Sequence, residues 1–503
     1  MLFNSYEFLL LFLPVALAGW FLLGRFAGLR TAQCWLVAVS LFYYGWWNPW
    51  YLILIIGLTI ANYSWGRLLA RRAAAGLSTG LALALGVTLN LGMLGYFKYA
   101  NFFVDNLDAL FGTNWVLYKV ILPLGISFFT FQKIGYLVDC ARGLVPKSDF
   151  LSFALFVVFF PQLIAGPIVH HGEIMPQFSR PEVTRVRWSN LALGLTLLIF
   201  GLAKKVLLAD PLSARVGEVF NAAATGHAQP VSGAWYGALA YALQIYFDFS
   251  GYSDMAIGLG RMFNITLPQN FNSPYQSANI VQFWRRWHMT LSRFLRDYLY
   301  FPLGGNRRGH LRQKINLMLT MFLGGLWHGA NWTFAAWGLL HGLYLVLNHG
   351  WLDLKERLTW IGRLPALIRF FVPRLITLSA VIFAWVLFRS ADFTSALFML
   401  QTMLGLGPTL VADASLAIGA IKPERWLWLV LLYGWALAAP NSQSICARFE
   451  PVLSMDEKSA PTGRISRRLN WNPTTAWALG ATVLLVVCLL SLSVVSEFLY
   501  YQF

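Results

Sequence analysis

The chain alternates between long apolar runs and short polar loops. A membrane-spanning α-helix needs about 20 predominantly apolar residues, and on that measure the sequence predicts roughly ten to thirteen transmembrane or re-entrant helices. Residues 151–169 are apolar but contain Pro161, Gly166 and Pro167, which predicts a broken or re-entrant segment covered by other parts of the protein. The pattern therefore predicts an all-α polytopic membrane protein. Its clearest other runs are 8–24, 36–62 (a hairpin), 81–97, 120–138, 191–208, 234–249, 371–388, 426–437 and 476–492.

Composition supports this class. Of the 503 residues, 58% are hydrophobic and only 12% are charged, against about 25% charged residues in a typical soluble domain. Soluble enzymes, disordered regulators and secreted disulfide scaffolds are excluded. The four cysteines form no C-x-x-C pair, and the chain shows no tandem repeat or soluble domain. We therefore predict a single membrane-embedded domain over residues 1–503, with a polar loop at 442–471.

The distribution of charge predicts the orientation. Lys and Arg number 38 against 21 Asp and Glu, a net charge of +17. The basic residues lie in loops between apolar runs, which favours cytoplasmic loops beside membrane lipid over nucleic-acid binding. Glu7 precedes the first run, whereas Arg25 and Arg30 follow it. This asymmetry predicts a retained first helix whose N-terminus lies outside.

Residues 261–314 form a basic segment with nine Lys and Arg residues and one acid, Asp297. This balance predicts a cytoplasmic, interfacial position. Residues 283–299 place apolar side chains at helical spacing, which predicts an amphipathic helix in the interface. Arg285 and Arg286 would then meet anionic lipid or the phosphates of a cofactor, or simply snorkel to the membrane surface.

A histidine is predicted at membrane depth. Residues 315–352 contain no Asp, Glu, Lys or Arg, enough for two spans, but include His328, His341 and His349. His328 lies fourteen residues after Lys314, or about 21 Å along a helix. An ionisable side chain at that depth suggests function, although a neutral histidine bonded to a helix neighbour is the simpler alternative. Neighbouring glycines allow close approach, and His341 and His349 are predicted to be structural or interfacial.

These features together suggest acyl transfer. A neutral imidazole can take a proton from a hydroxyl and return it, and guanidinium groups with Trp faces suit a phosphate-bearing donor. We find no serine nucleophile elbow, Walker loop or H-E-x-x-H motif. His170 and His171 are adjacent, without a carboxylate near them in the sequence, so no metal site is predicted.

A polar cluster follows the apolar run that ends near Phe247. Its members could bind an acceptor hydroxyl or orient a histidine, or they could have a structural part such as capping a helix. We leave both interpretations open. The cluster comprises Asp248, Ser250, Tyr252, Ser253 and Asp254.

Several ordered blocks resemble the membrane-bound O-acyltransferases, and in particular the bacterial branch that acetylates polysaccharides such as alginate. The resemblance runs through the chain and is weakest between about residues 390 and 471. The blocks are PLGISF (123–128), LIAGP (163–167), YFDFSGYSDMA (246–256), FWRRWH (283–288), LRDYLY (295–300), GGNR (304–307), GGLWHGAN (324–331) and FLYYQF (498–503).

The resemblance implies a ring of tilted helices around a tunnel. It implies that His328 is the catalytic general base and that His288 is a second functional histidine near the thioester. Candidate donor-binding or tunnel residues are Trp284, Arg285, Arg286, Trp327 and Asn331.

The resemblance also implies an inner-membrane O-acetyltransferase with no bound cofactor and acetyl-CoA as co-substrate. Its partner would be a separate periplasmic serine hydrolase-like (SGNH) protein within a polysaccharide synthesis and export complex. Alginate is the first expected acceptor, acetylated cellulose or another exopolysaccharide the second, and peptidoglycan the third.

Two alternatives come from other classes. In a proton-coupled transporter or flippase, His328 would relay protons and the arginines would bind an anionic substrate; inverted repeats would favour it, and none is found. In a structural subunit of an export complex, neither His288 nor His328 would be needed.

Overall fold

The computed structural model describes residues 1–113, 115, 120–145, 149–227, 229–407, 421–453, 469–492, 498 and 499. Within these ranges the chain is helical, and its pairing of extended backbone is one isolated bridge between Pro268 and Leu453. The α-helices are α1 (Leu13–Phe26), α2 (Leu29–Gly45), α3 (Tyr51–Ala74), α4 (Gly80–Leu94), α5 (Ala100–Phe111), α6 (Ile126–Ala141), α7 (Phe150–Val158), α8 (Phe160–Leu163), α9 (His171–Phe178), α10 (Trp188–Ala203), α11 (Asp210–Ala224), α12 (Val231–Met262), α13 (Ile280–Trp284), α14 (Met289–Leu295), α15 (Gly309–His328), α16 (Trp332–Arg357), α17 (Ala366–Arg389), α18 (Phe393–Met403), α19 (Pro423–Ala438), α20 (Ser442–Ile445) and α21 (Thr475–Leu490).

Several helices continue through π-helical turns. Turns at Glu7–Phe12, Gly95–Tyr99 and Lys204–Ala209 join or extend neighbouring α-helices. By length and apolarity, five helices of the described residues can cross a membrane: Glu7–Phe26, Tyr51–Ala74, Gly80–Phe111, Trp188–Ala224 and Ala366–Arg389. The predicted all-α polytopic membrane protein is confirmed, while the full count of ten to thirteen spans stays a prediction.

The predicted irregular segment is also present. α7 and α8 meet at Phe159, whose ψ of 109° breaks the helix just before Pro161. Its backbone is covered by protein, since residues 152–169 are buried. This agrees with the rule that irregular backbone at membrane depth must be shielded from lipid.

α10 and α12 pack against each other at backbone contact in the core. Gly194 faces Gly258, and two turns further along Gly201 faces Gly251. A Cβ at any of the four would meet the partner helix's backbone at 2.7 Å or less. Small residues at two-turn spacing let the helices touch backbone to backbone, as is common in membrane bundles. The contact brings the π-turn that follows α10 against the middle of α12.

The basic segment differs from the predicted amphipathic helix. The helix breaks into α13 and α14, with His288 between them in a left-handed conformation (φ 43°). Around the break, Asn272 N–H donates to the Arg286 carbonyl and Met289 N–H to the Asn270 carbonyl. The backbone therefore pairs with a neighbouring loop and cannot continue as a helix. Its apolar side chains, among them Trp287 and Leu291, are buried in the protein rather than laid on a membrane surface.

Candidate active site

α15 and α16 form the hairpin that carries the first candidate histidine. Lys314 and His328 lie in the same helix, as predicted, and His328 is its last residue. Gly325 and Gly338 let the two helices cross at backbone contact, with a Cβ on Gly325 only 3.0 Å from the Gly338 Cα. The two predicted helices and the close approach at the glycines are confirmed, while their crossing of the membrane stays a prediction. The C-terminal end of α15 is thereby held at a fixed position.

His328 lies at the wall of a cavity of about 360 Å³, which we call the His328 cavity. Its side chain is nearly buried, with a residue exposure of 5%. The ring contacts Trp327, Trp337 and Phe388 at centroid distances of 4.9, 5.1 and 5.3 Å. An imidazole in this aromatic setting is oriented and largely shielded from water. The remaining wall includes Met1, Tyr43, Tyr44, Lys98, Ser127, Phe128 and Trp327.

The end of α15 is bonded by two side chains that the sequence analysis missed. Lys98 donates to the carbonyls of Trp327 (2.5 Å) and His328 (3.0 Å), and Tyr99 donates to that of Leu326 (2.7 Å). These carbonyls have no partner within the helix. The sequence feature that could have indicated these contacts is Lys98 itself, a lone cation at the end of a predicted span.

His288, the second candidate, is fully buried and held by Asn270. Its Nδ1 lies 3.0 Å from Asn270 Oδ1, which also accepts the Thr290 hydroxyl at 2.9 Å. Because an amide oxygen only accepts, Nδ1 carries the proton and the lone pair of the neutral ring is on Nε2. Asn270 in turn donates to Ser253 Oγ (3.2 Å). No motif or pattern in the sequence marked Asn270 as a functional residue.

Trp327 stands between the two histidines. Its ring centroid is 6.2 Å from that of His288 and 4.9 Å from that of His328. It stacks on Phe131 (5.1 Å), which stacks on Phe294 (4.2 Å). The structure therefore brings His288 together with Trp327 and His328, although they come from two separate sequence blocks.

A second cavity, of about 1070 Å³, lies against the basic segment, and we call it the arginine cavity. Its wall includes Trp284, Arg285, Arg293 and Arg296. Its wall follows α15 from Gln313 to Met321, whereas the His328 cavity lies at the C-terminal end of this helix.

The arginines of this cavity differ in pairing. Arg293 forms a bidentate pair with Glu173 (2.5 and 2.9 Å), and Arg296 pairs with Asp297 (2.7 Å). Within the described residues Arg285 has no carboxylate partner, and it is exposed. It is therefore the cation of the wall that is best placed to bind an anion.

Three further candidates lie outside or beside this arrangement. Asn331 caps α16, accepting from Thr333 N–H (3.0 Å) and donating to the Ala391 carbonyl (2.7 Å). The backbone carbonyl of Arg286 accepts the Asn272 N–H in the pairing that separates α13 from α14. Trp284 lines the arginine cavity and donates to His341 Nδ1 at 3.3 Å, which ties His341 to the aromatic core.

The polar cluster after Phe247 lies in the middle of α12, so the interpretation as a helix cap is wrong. Asp248 pairs with Lys205 (2.6 Å) and accepts Leu499 N–H (3.0 Å). Asp254 pairs with Lys204 (2.6 Å) and accepts from Ser442 and Gln443. Because α10 and α12 pack so closely, the two lysines reach these carboxylates. Asp248 thereby joins α12 to the π-helical turn after α10 and to Leu499, and Asp254 joins α12 to the same turn and to α20. Ser442 and Gln443, the first residues of the predicted polar loop, are buried by this contact. Residues 454–468 of that loop lie outside the described ranges.

The other members of the cluster are buried beside them. Tyr252 packs between Phe3 (4.9 Å) and Phe498 (4.6 Å), and Ser250 is buried within α12. Ser253 reaches His288 through Asn270.

His170 and His171 do have a carboxylate partner, which the sequence analysis did not find because it lies 31 residues upstream. Asp139 Oδ2 is 2.8 Å from His170 Nε2 and 3.1 Å from His171 Nε2, and it accepts the Tyr298 hydroxyl at 2.5 Å. His170 Nδ1 accepts Gly172 N–H (3.2 Å), which puts the proton of the neutral ring on Nε2. A protonated Nε2 donates to Asp139, and the ligand atoms of Asp139, His170 and His171 all lie within 4.8 Å of one another. The three side chains and Tyr298 therefore form one hydrogen-bonded cluster, and the absence of a metal site stays a prediction.

Comparison with known proteins places this arrangement in context. A sequence model of the membrane-bound O-acyltransferase family matches residues 140–388. The peptidoglycan O-acetyltransferase of Helicobacter pylori is 38% identical over 100% of this chain and 98% of its own length. The probable alginate O-acetylase AlgI of Pseudomonas aeruginosa is 43% identical over 81% of this chain and 75% of its own. A teichoic acid D-alanyltransferase of Streptococcus thermophilus is 29% identical over 46% of this chain and 58% of its own.

Proposed function

Since the chain belongs to the membrane-bound O-acyltransferase family and is a multi-pass membrane enzyme of that activity, we propose that it takes acetyl from cytoplasmic acetyl-CoA and passes it across the inner membrane to a secreted or cell-wall polysaccharide. The observation that carries this proposal is the pair of cavities along α15, one beside residues 313–321 and one at its C-terminal end, with His288 and Trp327 packed near His328. A donor can enter one cavity and an acceptor the other.

The arginine cavity suits the donor. Acetyl-CoA carries several phosphates, and the Arg285 guanidinium is exposed at the cavity wall beside Trp284. A guanidinium binds phosphate with parallel N–H bonds, and an indole face packs against a flat base. Acetyl-CoA acts here as a co-substrate that enters and leaves.

The histidines suit the chemistry. His328 takes the proton of the acceptor hydroxyl as its oxygen attacks the thioester carbonyl. The C–S bond then breaks, and the proton passes from His328 to the departing thiolate sulfur. His288, fixed through Nδ1 by Asn270, orients the thioester side of the reaction. Atoms and charge balance without a metal ion or a second cofactor.

The proposed acceptor polymer is alginate, supported by the 43% identity to the probable alginate O-acetylase. Peptidoglycan is the second candidate, because the peptidoglycan O-acetyltransferase matches the whole chain. In either case we propose that a separate periplasmic serine hydrolase-like protein of the synthesis and export complex receives the acetyl group at the His328 cavity and acetylates the polymer.

The test uses purified full-length protein in detergent with radiolabelled acetyl-CoA. His328→Ala should lower thioester cleavage and label transfer by about 10²–10⁴-fold, the usual contribution of a general base. His310→Ala is the matched control, because His310 is exposed at the opposite end of the same helix. Supplying alginate or peptidoglycan, each with its candidate partner, identifies the acceptor from the labelled product.

Full label transfer by a folded His328→Ala variant contradicts the mechanism. Movement of a polymer or anion across vesicles without acetyl-CoA favours the transporter interpretation. Normal polymer export and acetylation by both His288→Ala and His328→Ala favours the structural subunit.

A further inference from the structure

Lys98 is a cation placed inside a membrane-crossing helix. It belongs to the continuous helix Gly80–Phe111, in the π-helical turn Gly95–Tyr99. A charged side chain at such a position is costly and by default marks a functional site. Single π-turns within helices are likewise common at functional sites. The proposed mechanism has so far given Lys98 no chemical part.

The contacts of Lys98 bring its charge to the end of the His328 helix. Its Nζ donates to the carbonyls of Trp327 and His328, 2.5 and 3.0 Å away, and Lys98 lines the same cavity as His328. An ammonium group has three N–H bonds, and these two carbonyls use two of them. Among the residues that the structure describes the third meets no acceptor, and since Lys98 lines the cavity this N–H is left for a group bound there.

Capping a helix does not by itself account for this arrangement. The neighbouring Tyr99 caps the same helix end by donating to the Leu326 carbonyl, and it does so without charge. The wall of the His328 cavity includes Lys98 but not Tyr99. The π-turn therefore directs two consecutive side chains to one helix end and puts only the cation at the cavity.

We propose that Lys98 is a further catalytic residue: two of its N–H bonds fix the backbone of Trp327 and His328, and the third stabilises the oxyanion formed during acyl transfer. This inference rests on the proposed function. When the acceptor oxygen bonds to the thioester carbon, the carbonyl π electrons move to its oxygen, and the Lys98 ammonium faces that negative charge. The oxyanion re-forms the carbonyl as the C–S bond breaks. The proton from His328 goes to sulfur, and Lys98 stays an ammonium throughout.

The experiment compares Lys98→Gln with Tyr99→Phe in the full-length protein. Glutamine keeps N–H donors for the helix carbonyls but removes the charge, whereas phenylalanine removes one capping bond and leaves Lys98 in place. Lys98→Gln should lower kcat for acetyl-CoA cleavage by about 10²–10³-fold with KM unchanged, the usual loss when an oxyanion donor is removed. Tyr99→Phe should keep the wild-type kcat. Lys98→Arg, which keeps the charge with altered geometry, should fall between wild type and Lys98→Gln.

The outcomes separate this inference from the proposed function. If wild type cleaves acetyl-CoA in a His328-dependent way while folded Lys98→Gln has the wild-type kcat, Lys98 has no catalytic part and the proposed function stands. If Lys98→Gln and Tyr99→Phe lose equal kcat and equal Tm, Lys98 is a helix cap only. Should Lys98→Gln not fold, Lys98→Arg decides: reduced kcat at unchanged KM and Tm supports the inference, and wild-type kcat overturns it. Absence of thioester cleavage by folded wild type overturns both proposals.

Discussion

Gly338 sits where the two helices around His328 touch, and alanine at this position should force them apart. A Cβ there would overlap the Met321 carbonyl oxygen and lie 3.1 Å from the Gly325 Cα. Carbon atoms pack at about 3.5–4.0 Å, so α15 and α16 must separate by roughly 0.5–1 Å. Overpacking of this kind costs about 1–3 kcal/mol of stability. Because His328 ends α15 one turn beyond Gly325, the movement reaches the imidazole, and displacement by about 1 Å can lower the rate about 100-fold.

The matched control lies on the same helix. A Cβ on Gly350 meets no atom within 4 Å, so Gly350→Ala should leave turnover unchanged and stabilise α16 by up to about 1 kcal/mol. Thermal unfolding in detergent and steady-state cleavage of acetyl-CoA are measured for both variants. Wild-type turnover and Tm in Gly338→Ala would refute the reasoning, since they would show that the crossing is looser than its geometry indicates.

Two further predictions concern charges outside the His328 cavity. Arg285→Ala should raise the KM for acetyl-CoA at low salt with little change in kcat. Arg296→Ala should raise this KM less, because Arg296 already has Asp297 as its partner. Equal KM values for the two variants in steady-state kinetics would argue against phosphate binding by Arg285. Asp248→Asn should destabilise the folded protein by about 1.5–3 kcal/mol, the usual contribution of a charged hydrogen bond, because buried Lys205 keeps Asp210 as a carboxylate partner. Adding Lys205→Met should recover part of the lost Tm, and no recovery in the double variant would show that the loss does not come from the Lys205 charge.

Much of the helical framework could be predicted from the chain itself. Runs of apolar residues predict membrane helices because lipid demands satisfied backbone bonds, and the break at Phe159 follows from the proline two residues later. The α15–α16 hairpin follows from an uncharged stretch of two span lengths. Glycines at the crossing mark where backbones meet. Each of these features depends on residues close together in the sequence.

The polar contacts of the site could not be predicted in this way. Lys98 bonds carbonyls about 230 residues away in the chain, and Asp139 meets histidines that lie beyond an irregular segment. Such partners are chosen by the packing of whole helices. The break at His288 has the same origin, since residues 283–299 have a helical pattern and only pairing with the loop at 270–272 interrupts it.

The aromatic layer of Trp327, Phe131 and Phe294 has a consequence for the cell as a whole. Two cavities that approach each other through a bilayer could together form a leak for protons and ions, and this would dissipate the membrane potential. A layer of stacked rings resists wetting, and such hydrophobic constrictions block conduction in channels. Under the proposed function, an acetyl group is handed on at this layer while hydrated ions are stopped. On that proposal, the enzyme exports a chemical group continuously while the membrane keeps its electrical potential.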